Sequence, residues 1–196
     1  MCDRNENGGV DNRHIDNSEL SLQDCQSIFT PAFIKQLNTM YMCGNLGDPI
    51  VARDTLEVFR YFRQHNDKMW LSMNTNAGAK PVEWWRELAQ VYGRMGTVIF
   101  SVDGLSDTNH LYRQNVNWDI VDQSMRAYIE GGGKVRWDYL IFDHNQHQVE
   151  EAERMAKLFG LEFVKKKTGR WVQSYKGNKI KKKESFFSNI LFLLTL

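Results

Sequence analysis

LNTMYMC (residues 37–43), followed by turn-forming residues and then by DTLEVFRYFRQH (54–65), is the stretch from which the fold reads. The first part is a short apolar run of strand length. In the second, Leu56, Phe59 and Phe62 share one helical face with Val58 beside them, so the hydrophobic period changes from strand to helix within about thirty residues. Asp54 and Glu57 have the spacing of a capping box, which predicts the helix start.

The same unit then repeats. KMWLSMN (68–74) precedes PVEWWRELAQVYG (81–93), where Pro81 suits a first helical turn and Gly93 a C-cap. TVIFSVD (97–103) leads through a longer loop to NWDIVDQSMRAYIEGGG (117–133), with the helix expected between Asn117 and Gly131. KVRWDYLIF (134–142) is followed by NQHQVEEAERMAKLFG (145–160), with Asn145 as the expected cap, Gln148 at the third helical position and Gly160 as the stop. LEFVKK (161–166) opens one more strand. Parallel strands require crossover connections, and a βα unit has about this length. The periodicity therefore predicts an α/β protein with a parallel sheet, either an open doubly wound sheet or an incomplete βα barrel. In both, functional groups gather just after the C-terminal ends of the strands.

Composition sets the outer bounds. The chain has 196 residues, 42% of them hydrophobic and 25% charged, which is the make-up of one ordinary globular domain. No stretch approaches the roughly 20 apolar residues of a membrane-spanning helix. The net charge of +1 is the sum of two opposed pieces, because residues 165–196 hold nine basic and one acidic residue and residues 1–164 hold 16 basic and 23 acidic. Three scattered cysteines, Cys2, Cys25 and Cys43, and a polar, acidic N-terminus lead us to expect a reducing, cytoplasmic setting rather than a secreted disulfide scaffold. The expected division is a core over residues 1–170 and a basic, then apolar tail over 171–196.

The strand ends read CGNLGDP (43–49), NTNAG (74–78), SVDG (101–104) and FDHN (142–145). Taken with MCDRN (1–5) and with LYR (111–113) after the third strand, they resemble a radical S-adenosylmethionine (radical SAM) enzyme over residues 1 to about 171. The fold this resemblance implies is a parallel-stranded partial (βα) barrel, incomplete at both ends: truncated before the first two cluster cysteines and after about the fifth barrel strand. The implied cofactors are SAM and a [4Fe–4S] cluster on three cysteines, whose open iron binds SAM before it is cleaved to a 5′-deoxyadenosyl radical. Cys2 corresponds to the third cluster ligand. Cys25 lies in an expected helix and Cys43 at a strand end, so neither replaces the missing two, and the chain as it stands is not expected to hold a stable cluster.

By the same resemblance, Gly47, Asp48 and Pro49 match the segment that presents backbone groups to the SAM amino group, with Asp48 one carbon shorter than the family's Glu. Asn74, Thr75 and Asn76 match a segment near SAM. Ser101 and Asp103 match the segment ending the fourth barrel strand, and Arg113 the following arginine, whose planar fork suits a carboxylate. Asp143, His144 and His147 are candidates to face substrate or supply protons, whereas the His-x-x-His spacing alone does not make a metal site. Expected partners are SAM and, for the intact enzyme, an electron donor, with no nucleic acid and no membrane. Two other readings are a non-catalytic α/β binding module with a basic docking tail, and a non-radical enzyme using Asp103 with His144 as acid and base. Trp70, Trp84 and Trp137 are expected in or near the core, and of the adjacent pair Trp84 and Trp85 only one can face the sheet squarely. The tail reads as the product of a premature or frameshifted end.

Overall fold

The computed structural model describes residues 5–6, 10–15, 18–44, 47–167, 172–173 and 179–180. Two short antiparallel pairs lie near its ends, β1 (Asn5–Glu6) with β2 (Val10–Asp11) and β8 (Val172–Gln173) with β9 (Lys179–Ile180). Between them stand α1 (Leu22–Ile28), α2 (Pro31–Ile34), β3 (Thr39–Met42), α3 (Thr55–His65), β4 (Trp70–Thr75), α4 (Val82–Tyr92) and β5 (Gly96–Ser101). The chain continues through α5 (Asn109–Tyr112), α6 (Trp118–Glu130), β6 (Val135–Ile141), a 3₁₀ turn (Gln146–Gln148), α7 (Val149–Leu158) and β7 (Glu162–Lys167).

The five long strands form one all-parallel sheet in the order β3-β4-β5-β6-β7. That order separates the two architectures the periodicity leaves open. A doubly wound sheet reverses direction at a switch point, but here every strand lands beside its predecessor on the same side. Right-handed crossovers then place each helix on one face of the sheet, as in a barrel. The fold is a partial (βα) barrel.

Register assigns the two faces. Leu71, Met73, Val98, Phe100, Val135, Trp137 and Tyr139 are buried under the helices, with the Trp85 ring of α4 tilted against Phe100 at 5.5 Å and Tyr128 of α6 edge-on to Trp85 at 6.4 Å. Burial of a side chain such as Phe59 or Phe100 contributes roughly 1.5–3 kcal/mol, which makes this layer the core. Trp84 is half-buried beside Lys80, so the adjacent tryptophans divide as their helical spacing requires. Trp70, expected near the core, lies half-buried on the opposite face under Lys134.

Rows across that opposite, inner face run Tyr41–Ser72–Thr97, Asn74–Ile99–Arg136–Glu162 and Ser101–Asp138–Val164. A closed barrel fills its interior with bulky branched residues, whereas these rows are largely polar. Asp138 sits among them with its side chain buried, taking hydrogen bonds from Arg136 Nε at 2.7 Å and from Lys166 Nζ.

Helix starts follow the sequence in most places. Asn117 accepts a hydrogen bond from the Asp119 amide, and Gly93 ends α4 with φ +54°. Two caps differ. Asp54 makes no cap on its own helix; its Oδ2 accepts from the Leu22 amide and so caps α1 instead. Among the described residues the capping box is Ser21 with Asp24. Asn145 likewise does not cap α7, which starts only after the 3₁₀ turn. No helix among the described residues is long and apolar enough to cross a membrane.

Candidate functional site

Because all five strands run parallel, the loops after β3, β4, β5 and β6 open at one end of the sheet, and these are the loops in which the sequence places its candidates. Asp48, in the loop after β3, reaches across to the loop after β4: its Oδ2 accepts from the Asn76 amide at 2.7 Å and its Oδ1 from the Ile50 amide at 3.2 Å. Burial pushes the Asp48 carboxyl up, and these amides, the Thr75 hydroxyl and the Arg113 charge pull it back. Gly47 and Pro49 flank it in the same loop.

The loop after β4 is tightly wound. Thr75 Oγ1 accepts from the Ala77 amide at 3.0 Å and Asn76 Oδ1 from the Gly78 amide at 2.8 Å, holding Ala77 at φ +59°. A non-glycine residue there costs energy that the two side-chain bonds offset. Asn74, one residue earlier on the inner face, accepts from the Tyr41 hydroxyl at 2.7 Å.

After β5 the backbone turns through Gly104 at φ +151°, where a Cβ would lie 2.6 Å from the Asn109 nitrogen. Only glycine fits that turn. It brings α5 back over the strand end, so that Arg113 places Nε 2.8 Å and Nη2 2.7 Å from Asp103 Oδ2. The other oxygen, Oδ1, accepts from the Leu140 amide at 2.6 Å. Burial pushes the Asp103 carboxyl up and the Arg113 guanidinium opposes it. With a side chain only 1% exposed and both oxygens engaged, Asp103 holds Arg113 and β6 in place and has no free lone pair aimed at a substrate for general-base work. Arg113 keeps 28% of its side chain exposed and lies over the Tyr112 ring at 5.1 Å. Ser101, half-buried, ends β5 on the inner face beside Asp138.

The structure thus brings the expected residues into two groups at one end of the sheet: Asp48 with Thr75 and Asn76, and Asp103 with Arg113. Asn74 and Ser101 stand on the inner face below them. Cys2 lies outside the described residues. A cluster on three thiolates does not fit the described ones, since Cys25 is buried in α1, Cys43 is exposed after β3, and no three His, Cys, Asp or Glu side chains among them gather as metal ligands.

Three residues at the site escaped the sequence reading as site residues. Asn145, fully buried, donates from Nδ2 to the Asp103 and Leu140 carbonyls at 2.8 and 2.9 Å and accepts from the Phe142 amide at 2.7 Å. Asn109 Oδ1 accepts from the Asp103 amide at 3.0 Å. Gln148 Oε1 accepts from the Leu105 amide at 3.1 Å. All three tie the loop after β5 to its neighbours, and in sequence they are indistinguishable from helix caps. His144 stacks on Phe142 at 5.2 Å with its Nε2 buried and without a hydrogen-bond partner, and burial lowers its basicity while Asp143 opposes that.

No protein-family model and no curated protein sequence matches this chain. Solved structures do. SuiB of Streptococcus suis bound to S-adenosylmethionine superposes with a TM-score of 0.66 over 87% of this chain and 38% of SuiB, at 19% identity. SuiB bound to its precursor peptide SuiA gives a TM-score of 0.64. Native anSMEcpe with bound AdoMet gives 0.56 over 86% of this chain and 49% of its own, at 14% identity. The chain spans less than half the length of each. With parallel strands in sequential order and their loops at a common end, this chain shares the partial-barrel fold of SuiB and anSMEcpe.

Proposed function

We propose that this chain is a segment of a radical SAM enzyme and that the loop end of its sheet binds SAM. The observation that carries the reading is the joining of the loops after β3 and β4 through Asp48–Asn76, with Arg113, held by Asp103 after β5, near enough for its charge to act on Asp48. Asp48, Thr75 and Asp103 are positioning groups, each spent on a backbone amide or on Arg113. The groups left to meet a ligand are the exposed part of the Arg113 fork, the Ser101 hydroxyl, the Nδ2 ends of Asn74 and Asn76, whose Oδ1 atoms are engaged, and the backbone around Gly47 and Pro49. A partly exposed guanidinium fixed by a buried carboxylate is preorganised for the carboxylate of an amino-acid ligand, because little side-chain entropy remains to be lost. In the whole enzyme this reading assigns, a [4Fe–4S] cluster would be held by cysteines that the described residues do not supply, and with an external electron donor it would provide the reducing power for cleaving SAM.

Titration of the isotope-labelled chain with S-adenosylhomocysteine tests the ligand assignment. Amide shifts at residues 47–49, 74–76 and 101–104 and at the Arg113 Nε are the expected outcome, reduced about tenfold in affinity by Arg113→Ala, the loss of one charge-assisted bidentate contact. Shifts confined to other parts of the sheet, or none at millimolar ligand, would overturn it.

A further inference from the structure

Asp138 carries a buried carboxylate onto the inner face of the sheet at the middle of β6, a strand with neighbours on both sides. Two cations meet it there. Arg136 donates from Nε to Oδ1 at 2.7 Å and from Nη2 to Oδ2 at 3.1 Å, and Lys166 leans over from β7 to donate to Oδ2. One cation is enough to pair a carboxylate, so the second leaves the group of three with one positive charge in excess.

Neither cation is used up by that pairing. With its Nε–Nη2 edge on Asp138, Arg136 still has Nη1, and Lys166 has its other two protons; neither makes a further hydrogen bond among the described residues. Their side chains are 31% and 45% exposed, against 5% for the carboxylate between them. Glu162, exposed and level with Arg136 on β7, acts on it through charge and tempers the excess. The group also lies beside the loop end of the sheet. Ser101 is level with Asp138 across β5 and β6, and Leu140, level with Lys166, supplies the amide that holds Asp103.

We propose that Arg136 and Lys166, both tethered to Asp138, form a carboxylate subsite on the inner face, and that the substrate of this enzyme presents a carboxylate to it. A single excess charge beside a planar donor edge matches a monoanionic carboxylate. A phosphate dianion would find one charge for its two, with the Glu162 carboxylate nearby. Calling the bound molecule the substrate rests on the SAM reading; the subsite itself does not.

Two probes titrated into the isotope-labelled full chain at fixed ionic strength test it: N-acetylglycine, with a chain-terminal carboxylate, and N-acetylaspartate α-methylamide, with a side-chain one. Saturable shifts at Arg136 Nε and Lys166 Nζ are expected with at least one of them, which identifies the source of the group, and none with neutral N-acetylglycinamide. Arg136→Lys keeps the charge without the fork, and Lys166→Gln keeps a donor for Asp138 without the charge. Each should weaken binding about tenfold, the loss of one charge-assisted contact, with an unchanged circular dichroism spectrum. Lys165→Gln, whose side chain pairs with Glu153 of α7, should leave the affinity as it is. The proposal is overturned by unmoved Arg136 and Lys166 signals with both carboxylates, by tighter binding of inorganic phosphate, or by an equal loss in Lys165→Gln, which would mark a response to overall charge. Carboxylate shifts at Arg113 alone overturn it too. S-adenosylhomocysteine shifts at residues 47–49 and 74–76 judge the SAM reading separately, so either can fail while the other stands.

Discussion

At Asp103 one carboxylate is held by three donors, two from Arg113 and one from the Leu140 amide, and the Asn145 carboxamide holds the Asp103 carbonyl. These two residues carry separate predictions. Asp103→Asn keeps an acceptor for Leu140 but loses the charge pairing with a partner that still touches water, and should cost about 1–3 kcal/mol in urea denaturation at pH 7. Asn145→Ala leaves the Phe142 amide and two carbonyls without partners in a fully buried place, and should cost about 2–4 kcal/mol. Asn145→Asp should not rescue it, because a carboxylate has no proton to give either carbonyl. The two Asp residues and Arg113 were legible in sequence as members of short motifs. Asn145 was not, because asparagine before a helical run is the ordinary signature of a cap, and only the approach of β5 to β6 gives its amide other work.

At the scale of elements, local periodicity and tertiary contact divide the labour. The helices start within two or three residues of their expected places because apolar stripes and Gly or Pro punctuation are local properties. Asp54 shows where that stops. Its spacing to Glu57 fits a capping box, yet its carboxylate accepts from Leu22, 32 residues earlier. Asp54→Ala should therefore weaken α1 rather than α3, by about 0.5–2 kcal/mol for the lost cap. Hydrogen exchange checks this: faster exchange is expected at residues 22–28 and unchanged rates at 55–65. The inner strand positions are a second case. Asp138 in KVRWDYLIF looks out of place in a buried parallel strand until Lys166 of β7 arrives beside it.

For the molecule as a whole, that ion network sets part of the acid limb of stability. Burial works to raise the Asp138 carboxyl, but the Arg136 and Lys166 hydrogen bonds and charges outweigh it and hold it below the ordinary carboxylate value. A carboxyl lowered in the folded state stabilises fully above its unfolded value and loses that contribution as pH falls through the folded one. Asp138→Asn should thus be destabilised by about 1–3 kcal/mol at pH 7. The gap to the parent protein should narrow once pH falls below about 4, where the carboxyl begins to protonate. Denaturation curves at pH 7 and pH 3 check both ends. An undiminished gap at the lower pH would show that packing, not charge, makes the difference.

The opposed charges of residues 1–164 and 165–196 were countable from the residues, and so were five strands, their helices and the loops that bear the polar motifs, because each rests on neighbours within about ten positions. The choice between a doubly wound sheet and a partial barrel was not, since strand order is a relation among segments thirty or more residues apart. Nor was the division of the candidate carboxylates into positioning groups, or the apolar groove that β3 lines with α1 and α3. Those depend on which side chains come within hydrogen-bond or van der Waals reach once the sheet forms. Reach of that kind is set by crossover handedness, register and burial together, and no local stretch of sequence encodes it alone.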